Sequence, residues 1–330
     1  KIMTGAPIPP GADAVVMVEE TEKTGVRGQG VKGTAVPFTV RIFREAKIGD
    51  NIRKTGEDFK KGDVVLTRGS VIRPAEIAML AAIGRSFVRV YQRPRVAIVS
   101  TGDELLEIDE TPVEGKIFNT NSYTLFAQVK ECGAEPVHIG IARDNKEDLK
   151  EKLTFATASD CIICSGGVSV GEFDYVKDVL KEMGTEMRFW KVAIKPGKPL
   201  TFGVIAGKPA FGLPGNPISS MVAFEEFVRP ALLKMMGRKD IFRRTVEAIL
   251  TTDIKKKPGR KHFLRARLES GEKGYHVTPL EGQGSGILSS MVKANSLILL
   301  PEDGTLFSKD TRVKVQPLDD SLLFQGEPGY

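Results

Sequence analysis

Between residues 95 and 236, short apolar, β-prone runs alternate with stretches of helical length, and this alternation limits the chain more than any other feature. Strands are expected at 95–99, 136–139, 161–164 and 209–212, and helices at 121–131, 144–156, 175–183 and 218–236. Asn121, Asp144 and Asn216 are read as N-caps, the last with Pro217 at the first helical position. Strands separated by helices make a parallel sheet by crossover connections, and ligands of such sheets gather at the carboxyl ends of the strands. The flanks differ. Short strands are expected at 14–18, 62–70 and 87–91, with one helix at 74–83, before a Gln92-Arg93-Pro94 linker. From 243 to 317 no helical period is visible, and short alternating runs separated by Gly and Pro read as a small all-β domain. The fold class is multidomain α/β and all-β, as 330 residues exceed what one core usually supports.

Composition removes several functions. No run approaches the ~18 apolar residues of a membrane span. The net charge of +6 comes without a basic, aromatic-interleaved helix, so neither nucleic acid nor membrane is an expected partner. Three cysteines suit a reducing compartment. Cys161 and Cys164 have metal-ligand spacing, but their apolar run reads as a strand rather than a zinc site.

Chemistry concentrates in Ser165-Gly166-Gly167-Val168-Ser169-Val170-Gly171-Glu172-Phe173-Asp174-Tyr175. A glycine turn between strand and helix lets backbone amides approach an anion. The carboxylates Glu172 and Asp174 would repel a bare phosphate; two charges about 4 Å apart cost roughly 4 kcal/mol at an effective dielectric near 20. Phosphate plus Mg²⁺ satisfies both requirements, while a plain turn capped by Asp174 is the simpler alternative. The carboxyl-edge rule groups this loop with 101–104 and 143–145, each bringing an acid: Glu104, Asp144 and Asp174. Downstream, Lys191, Lys195 and Lys198 flank Pro196-Gly197 and Pro199, a fixed loop of point charges suited to an oxoanion. Lys255, Lys256, Lys257, Arg260, Lys261, Arg265 and Arg267 form a basic cluster read as a solvated face. The 282–286 segment reads as a flexible loop carrying a hydroxyl, and the proline-rich opening reads as the interior of a segment, with residues expected before it.

Six ordered motifs then carry a resemblance. They are Thr4-Gly5-Ala6-Pro7-Ile8-Pro9; Thr55-Gly56-Glu57-Asp58; Ser100-Thr101-Gly102-Asp103-Glu104-Leu105; the 165–175 loop; Phe189-Trp190-Lys191 with Ala193-Ile194-Lys195-Pro196-Gly197-Lys198-Pro199; and Gly212-Leu213-Pro214-Gly215-Asn216-Pro217. In this order they resemble the molybdopterin molybdenumtransferase family from residue 1 to about 317. The resemblance implies a small β domain (1–50), a linker and dimerisation region (51–92), a molybdopterin-binding α/β domain (93–237), a C-terminal β-barrel-like domain (238–317) and a tail (318–330). It further implies a cytoplasmic homodimer that cleaves adenylylated molybdopterin with Mg²⁺, releases AMP and inserts molybdate or tungstate into the dithiolene. By motif match, Gly166, Gly167 and Ser169 cradle the pterin phosphate. Glu104 and Asp174 hold Mg²⁺, and Lys191 and Lys195 take the oxoanion or the leaving phosphate. Asp144, Asp58, Thr4, Pro214, Pro217 and Ser285 line the cleft, Thr4 serving the partner's site. Asn119 and Asn145 stand where the family pattern favours acids. A molybdopterin adenylyltransferase is an implied partner. Alternative readings are a pterin-binding or scaffolding module of the same fold, or such an adenylyltransferase itself.

Overall fold

The computed structural model describes residues 1–24, 39–167 and 174–323, with the backbone alone for 174–177. The chain divides into two units, Lys1–Gly84 and Arg85–Tyr330.

In the first unit the strands Thr21–Thr24 and Thr39–Ile42 pair antiparallel. No described residue of this unit is buried. Its 14–18 run is not a strand, because its polar backbone bonds the turn at 49–51: Val15 N–H donates to Asp50 O (2.9 Å) and Asn51 Nδ2 donates to Val15 O (2.7 Å). Residues 62–70 form turns instead of a strand, closed by Asp63 N–H to Lys60 O and Ser70 N–H to Thr67 O. The expected helix is present as Pro74–Ala82, its Glu76 carboxylate accepting from the Arg73 amide. In the second unit, residues 87–91 join no ladder and leave Phe87 93% exposed.

The second unit is built on a six-stranded sheet. Its spatial order is Glu135–Ala142, Arg95–Thr101, Cys161–Ser165, Lys208–Leu213, Thr201–Ile205, Glu186–Phe189. The first four are mutually parallel. Thr201–Ile205 runs against its neighbours on both sides, so the sheet is mixed rather than wholly parallel. That strand leaves into Lys208–Leu213 through a two-residue turn, Ala206 and Gly207, both at positive φ (49° and 77°), the backbone twist that a tight hairpin requires. The central strands are buried on both faces. Val96, Ile98, Cys161 and Ile163 pack with Leu125, Val129, Phe224 and Val228 on one side. Ala97, Val99 and Ile162 pack with Leu149, Leu153 and Val179 on the other, which is why these strands read as continuous apolar runs.

Two helix starts move by a residue or two. Asn119, not Asn121, caps Thr120–Glu131 by accepting from Ser122 N–H, and Asn145, not Asp144, caps Lys146–Ala156 by accepting from Asp148 N–H. Both amides that depart from the acid-rich pattern are therefore caps. The 218–236 helix is three pieces: Pro217–Ala223, a wide turn Phe224–Val228, and Arg229–Met235. Pro230 has no N–H to give the preceding turn, and the backbone widens to accommodate its ring.

Beyond Val246, the strands Gly274–Pro279, Val246–Leu250, Arg312–Pro317, Ser296–Leu300 and Lys261–Gly271 pair in that order, and the last pairs back to the first to close a five-stranded barrel. A short helix, Leu288–Lys293, interrupts the expected all-β run. The barrel joins the α/β part through Ile194–Lys195, which pairs with Lys261 and His262, and through a cluster of Ile194, Ile218, Val222, Phe263 and Leu297. No helix among the described residues is long and apolar enough to cross a membrane.

Candidate functional site

The carboxyl edge of the sheet gathers four turns. Strand Arg95–Thr101 ends in Gly102, and its amide donates to Ala142 O (3.2 Å) at the end of the neighbouring strand. Beyond it, Asp103 and Asp144 interlock: the Asp103 amide donates to Asp144 Oδ2 (3.2 Å) and the Asp144 amide to Asp103 Oδ1 (3.1 Å). The 101–104 and 143–145 loops therefore meet, as the alternation requires. The Glu104 carboxylate folds back over Gly102, occupying the space that a Cβ there would need.

The glycine turn lies against the same edge. Gly166 runs at φ +91°, and a Cβ on it would stand 2.7 Å from Thr101 O. Its amide donates to Leu213 O (3.1 Å), tying it to the strand that leads into Pro214 and Pro217. Asn121 completes this junction: its Nδ2 donates both to Ser165 Oγ and to Gly215 O, each at 2.8 Å. Sequence reasoning assigned Asn121 to capping and missed this bridge, which becomes visible only when the cap is placed at Asn119. Among the described residues, the buried Thr101 Oγ1 and Asn121 Oδ1 have no hydrogen-bond partner. Polar atoms left open beside a glycine turn suit a polar ligand.

Lys195 and the barrel approach from the other side. The 195–198 turn lies on the helix start, since a Cβ on Gly197 would be 3.5 Å from Ser219 O. Ser285 is at the same helix start, its carbonyl accepting from Ile218 N–H (3.2 Å). Lys191, Lys195 and Lys198 are exposed, and Pro214 is buried. His262, 4% exposed, pairs in the ladder with Lys195; burial first, then Lys256, Lys195 and Arg260, push its pKa down to about 4. Part of the basic cluster is thus not a solvated face: Arg265 is fully buried.

The structure therefore brings together Gly166, Pro214, Pro217, Lys195 and Ser285 around one helix start, and Glu104 with Asp144 on the loops at the same sheet edge. Gly167 follows Gly166 in the turn. Ser169 and Glu172 lie outside the described residues. Asp174 opens helix Asp174–Glu182, and its side chain is outside them too. Thr4 lies in a turn closed by Ala6 N–H to Met3 O, and Asp58 follows one closed by Glu57 N–H to Lys54 O, both in the first unit. Among the described residues, no group of three or more His, Cys, Asp or Glu could hold a metal ion. The donors beside the glycine turn are carboxylates and hydroxyls, and Mg²⁺ needs only one or two protein carboxylates when substrate phosphates supply the rest, so the donor set fits. The cysteines do not: Cys161 packs in one core, Cys164 in the other, and burial pushes both thiols up to about 12.

Comparison with known proteins identifies this arrangement. Residues 97–234 match the probable molybdopterin binding domain, 1–84 the MoeA N-terminal region (domain I and II), and 247–318 the MoeA C-terminal region (domain IV). An α/β unit that collects glycine turns, acids and a lysine loop at its carboxyl edge, with a closed barrel beside it, thus falls among the molybdopterin-binding proteins. The chain is 37% identical over 325 residues to a molybdopterin molybdenumtransferase of Haemophilus influenzae, spanning 98% of this chain and 78% of that one. It is 38% identical over 305 residues to one of Staphylococcus aureus (strain COL), spanning 91% and 69%. Two structures of the molybdopterin biosynthesis MoeA protein of Pyrococcus horikoshii give TM-scores of 0.76 and 0.74 at 32% and 34% identity, each covering 96% of this chain and 74% of the other. The chain belongs to the molybdopterin molybdenumtransferase family.

Proposed function

We propose that this chain inserts molybdenum into molybdopterin, taking the adenylylated pterin as substrate, cleaving its pyrophosphate with Mg²⁺, releasing AMP and loading molybdate or tungstate onto the dithiolene. Support comes first from the family and, at the site, from one observation: a glycine turn, a lysine-bearing turn and a serine loop share one helix start beside two interlocked acid loops. In this reading Gly166 and Gly167, with Ser169, present the turn to the pterin phosphate, where no Cβ blocks approach. Lys191 and Lys195 attract the oxoanion and stabilise charge on the departing phosphate. Pro214 and Pro217 fix the helix start, and Ser285 offers a hydroxyl beside it. Glu104 and Asp174 would hold Mg²⁺, which supplies charge neutralisation on the pyrophosphate. Asp144 keeps the acid loops in register, Asp58 lines the cleft, and Thr4 completes it from a homodimer partner. A molybdopterin adenylyltransferase would supply the substrate.

The test is incubation with adenylylated molybdopterin, Mg²⁺ and molybdate while AMP is followed. Release is expected. For Asp174→Asn we expect loss of release with pterin binding largely retained; unchanged turnover rejects the metal role. Tight pterin binding by the wild-type chain without AMP release would instead establish a binding or scaffolding module.

A further inference from the structure

Arg265 has the largest of the fully buried side chains. It lies on strand Lys261–Gly271, whose Ala266 and Leu268 pack in the barrel core. Phe263, two residues earlier, faces the opposite way, against Ile218 and Val222; Leu297, the cross-strand neighbour of Arg265, joins the same cluster. Period-two alternation therefore puts Arg265 where the barrel meets the helix that follows Pro217.

A guanidinium removed from water needs a carboxylate or a full set of acceptors. Among the described residues no carboxylate lies within salt-bridge distance of Arg265, and burial pushes its pKa down. Its acceptors all come from one short segment. Nε donates to Ser290 Oγ (3.0 Å), and Nη2 donates to Gly282 O (2.8 Å) and Gly284 O (3.0 Å). The backbone of the same residue adds to the grip: its amide donates to Gln283 Oε1 (3.1 Å), and its carbonyl accepts from Gln283 Nε2 (2.8 Å) and Leu280 N–H (2.9 Å). The next residue in that loop is Ser285, whose carbonyl meets Ile218 N–H. One residue thus holds the loop from behind while the loop's tip meets the helix start. An apolar side chain could fill the same volume without a desolvated charge, so stability alone does not explain an arginine here.

We infer that Arg265 is a positioning residue for the oxoanion end of the cleft, acting through the 282–286 loop to set Ser285 over the start of helix Pro217–Ala223. The inference rests on reading this edge as the place where the oxoanion binds. Its test uses the full chain with Arg265→Lys and Ser290→Ala, each alone and combined with Ser285→Ala, assayed with adenylylated molybdopterin and varied molybdate. Lysine keeps the charge but cannot span the three acceptors. For Arg265→Lys we expect the molybdate KM to rise about tenfold or more, with kcat and the pterin KM little changed. Amide exchange at Ile287 and Leu288 should quicken. In the Ser285→Ala background the further rise should stay below about twofold, because the cycle then lacks the group through which Arg265 acts. Ser290→Ala, which removes one acceptor, should give a smaller rise of the same kind, and carries the test if Arg265→Lys does not fold. A lower Tm with an unmoved molybdate KM overturns the inference, as does full additivity with Ser285→Ala. Loosened exchange in Arg265→Lys with no effect of Ser285→Ala alone instead shows that the oxoanion does not use Ser285, and the underlying reading fails first.

Discussion

Gly166 is where backbone geometry and the proposed pterin contact coincide. Its φ of +91° disfavours any other residue, and a Cβ there would stand only 2.7 Å from Thr101 O. Gly115 has a similar φ of +78° but open space around it. Gly115→Ala should therefore lose about 1–2 kcal/mol from the left-handed backbone alone. Gly166→Ala should lose the same plus roughly 1–3 kcal/mol of overpacking, and with it pterin binding. Thermal unfolding of the pair, alongside pterin titration, checks this; equal losses would mean that the strand ends do not pack as described. His262 gives a second prediction. Its pKa falls from about 6.5 in the unfolded chain to about 4 in the fold. As pH drops through that interval the unfolded chain takes up a proton that the fold refuses, so stability is full above 6.5 and is lost toward 4. His262→Gln should flatten this loss in Tm measured between pH 7 and 4. An oxoanion held near Lys195 should raise the His262 titration midpoint in NMR, and an unmoved midpoint places the anion elsewhere. At this scale the sequence showed which residue types carry chemistry but not which atoms are already engaged. Glu104, Asp144 and Lys195 stood out from their motifs. Arg265 looked like one more surface cation because strand alternation does not say which face is covered by another domain.

Elements were legible where one period ran without interruption, as in Arg95–Thr101 and Lys146–Ala156, and failed where a partner outside the window decided the outcome. The 14–18 run has strand composition, yet its hydrogen bonds go to residues 49–51. The hairpin at Ala206-Gly207 is not legible in the sequence because alanine at positive φ leaves no turn signature. The helix after Pro217 has an apolar period that runs unbroken past Pro230, so its division into three pieces shows only in the fold, and its wide turn matters for stability. Glu226 lies in that turn, half-buried, accepting from Gln316 Nε2 of the barrel (2.8 Å). Burial is the main cause raising its pKa. A raised carboxyl pKa means that the fold disfavours the charged form, so the cost is absent below the unfolded value near 4.5 and grows as pH rises through the folded value. Glu226→Gln can still accept from Gln316. We expect a modestly higher Tm than wild type at pH 7–8, with the difference closing at about pH 4; a variant less stable at pH 8 would show that the charge is compensated.

For the whole molecule, the contrast between its two units decides the last prediction. Every buried apolar side chain among the described residues lies between Pro94 and Val315, while none in Lys1–Gly84 is buried and Ile42, Phe43, Ile48, Val64 and Ile77 are more than half exposed. A segment whose described residues bury no core needs another surface, and the homodimer proposed here would supply one. The proposal further puts Thr4 of one subunit at the cleft of its partner, so the two halves of a site belong to different chains. Two defective chains, Thr4→Ala and Lys195→Ala, then complement each other. Random exchange of equal amounts gives about half heterodimers, each with one site that carries both defects and one that carries neither. AMP release should therefore recover to about a quarter of wild type after subunit exchange, while neither variant alone shows it. Light scattering should report a dimer throughout. Recovery that stays at the average of the two variants would mean that Thr4 and Lys195 serve the same chain, and a monomer by scattering would remove the shared site altogether.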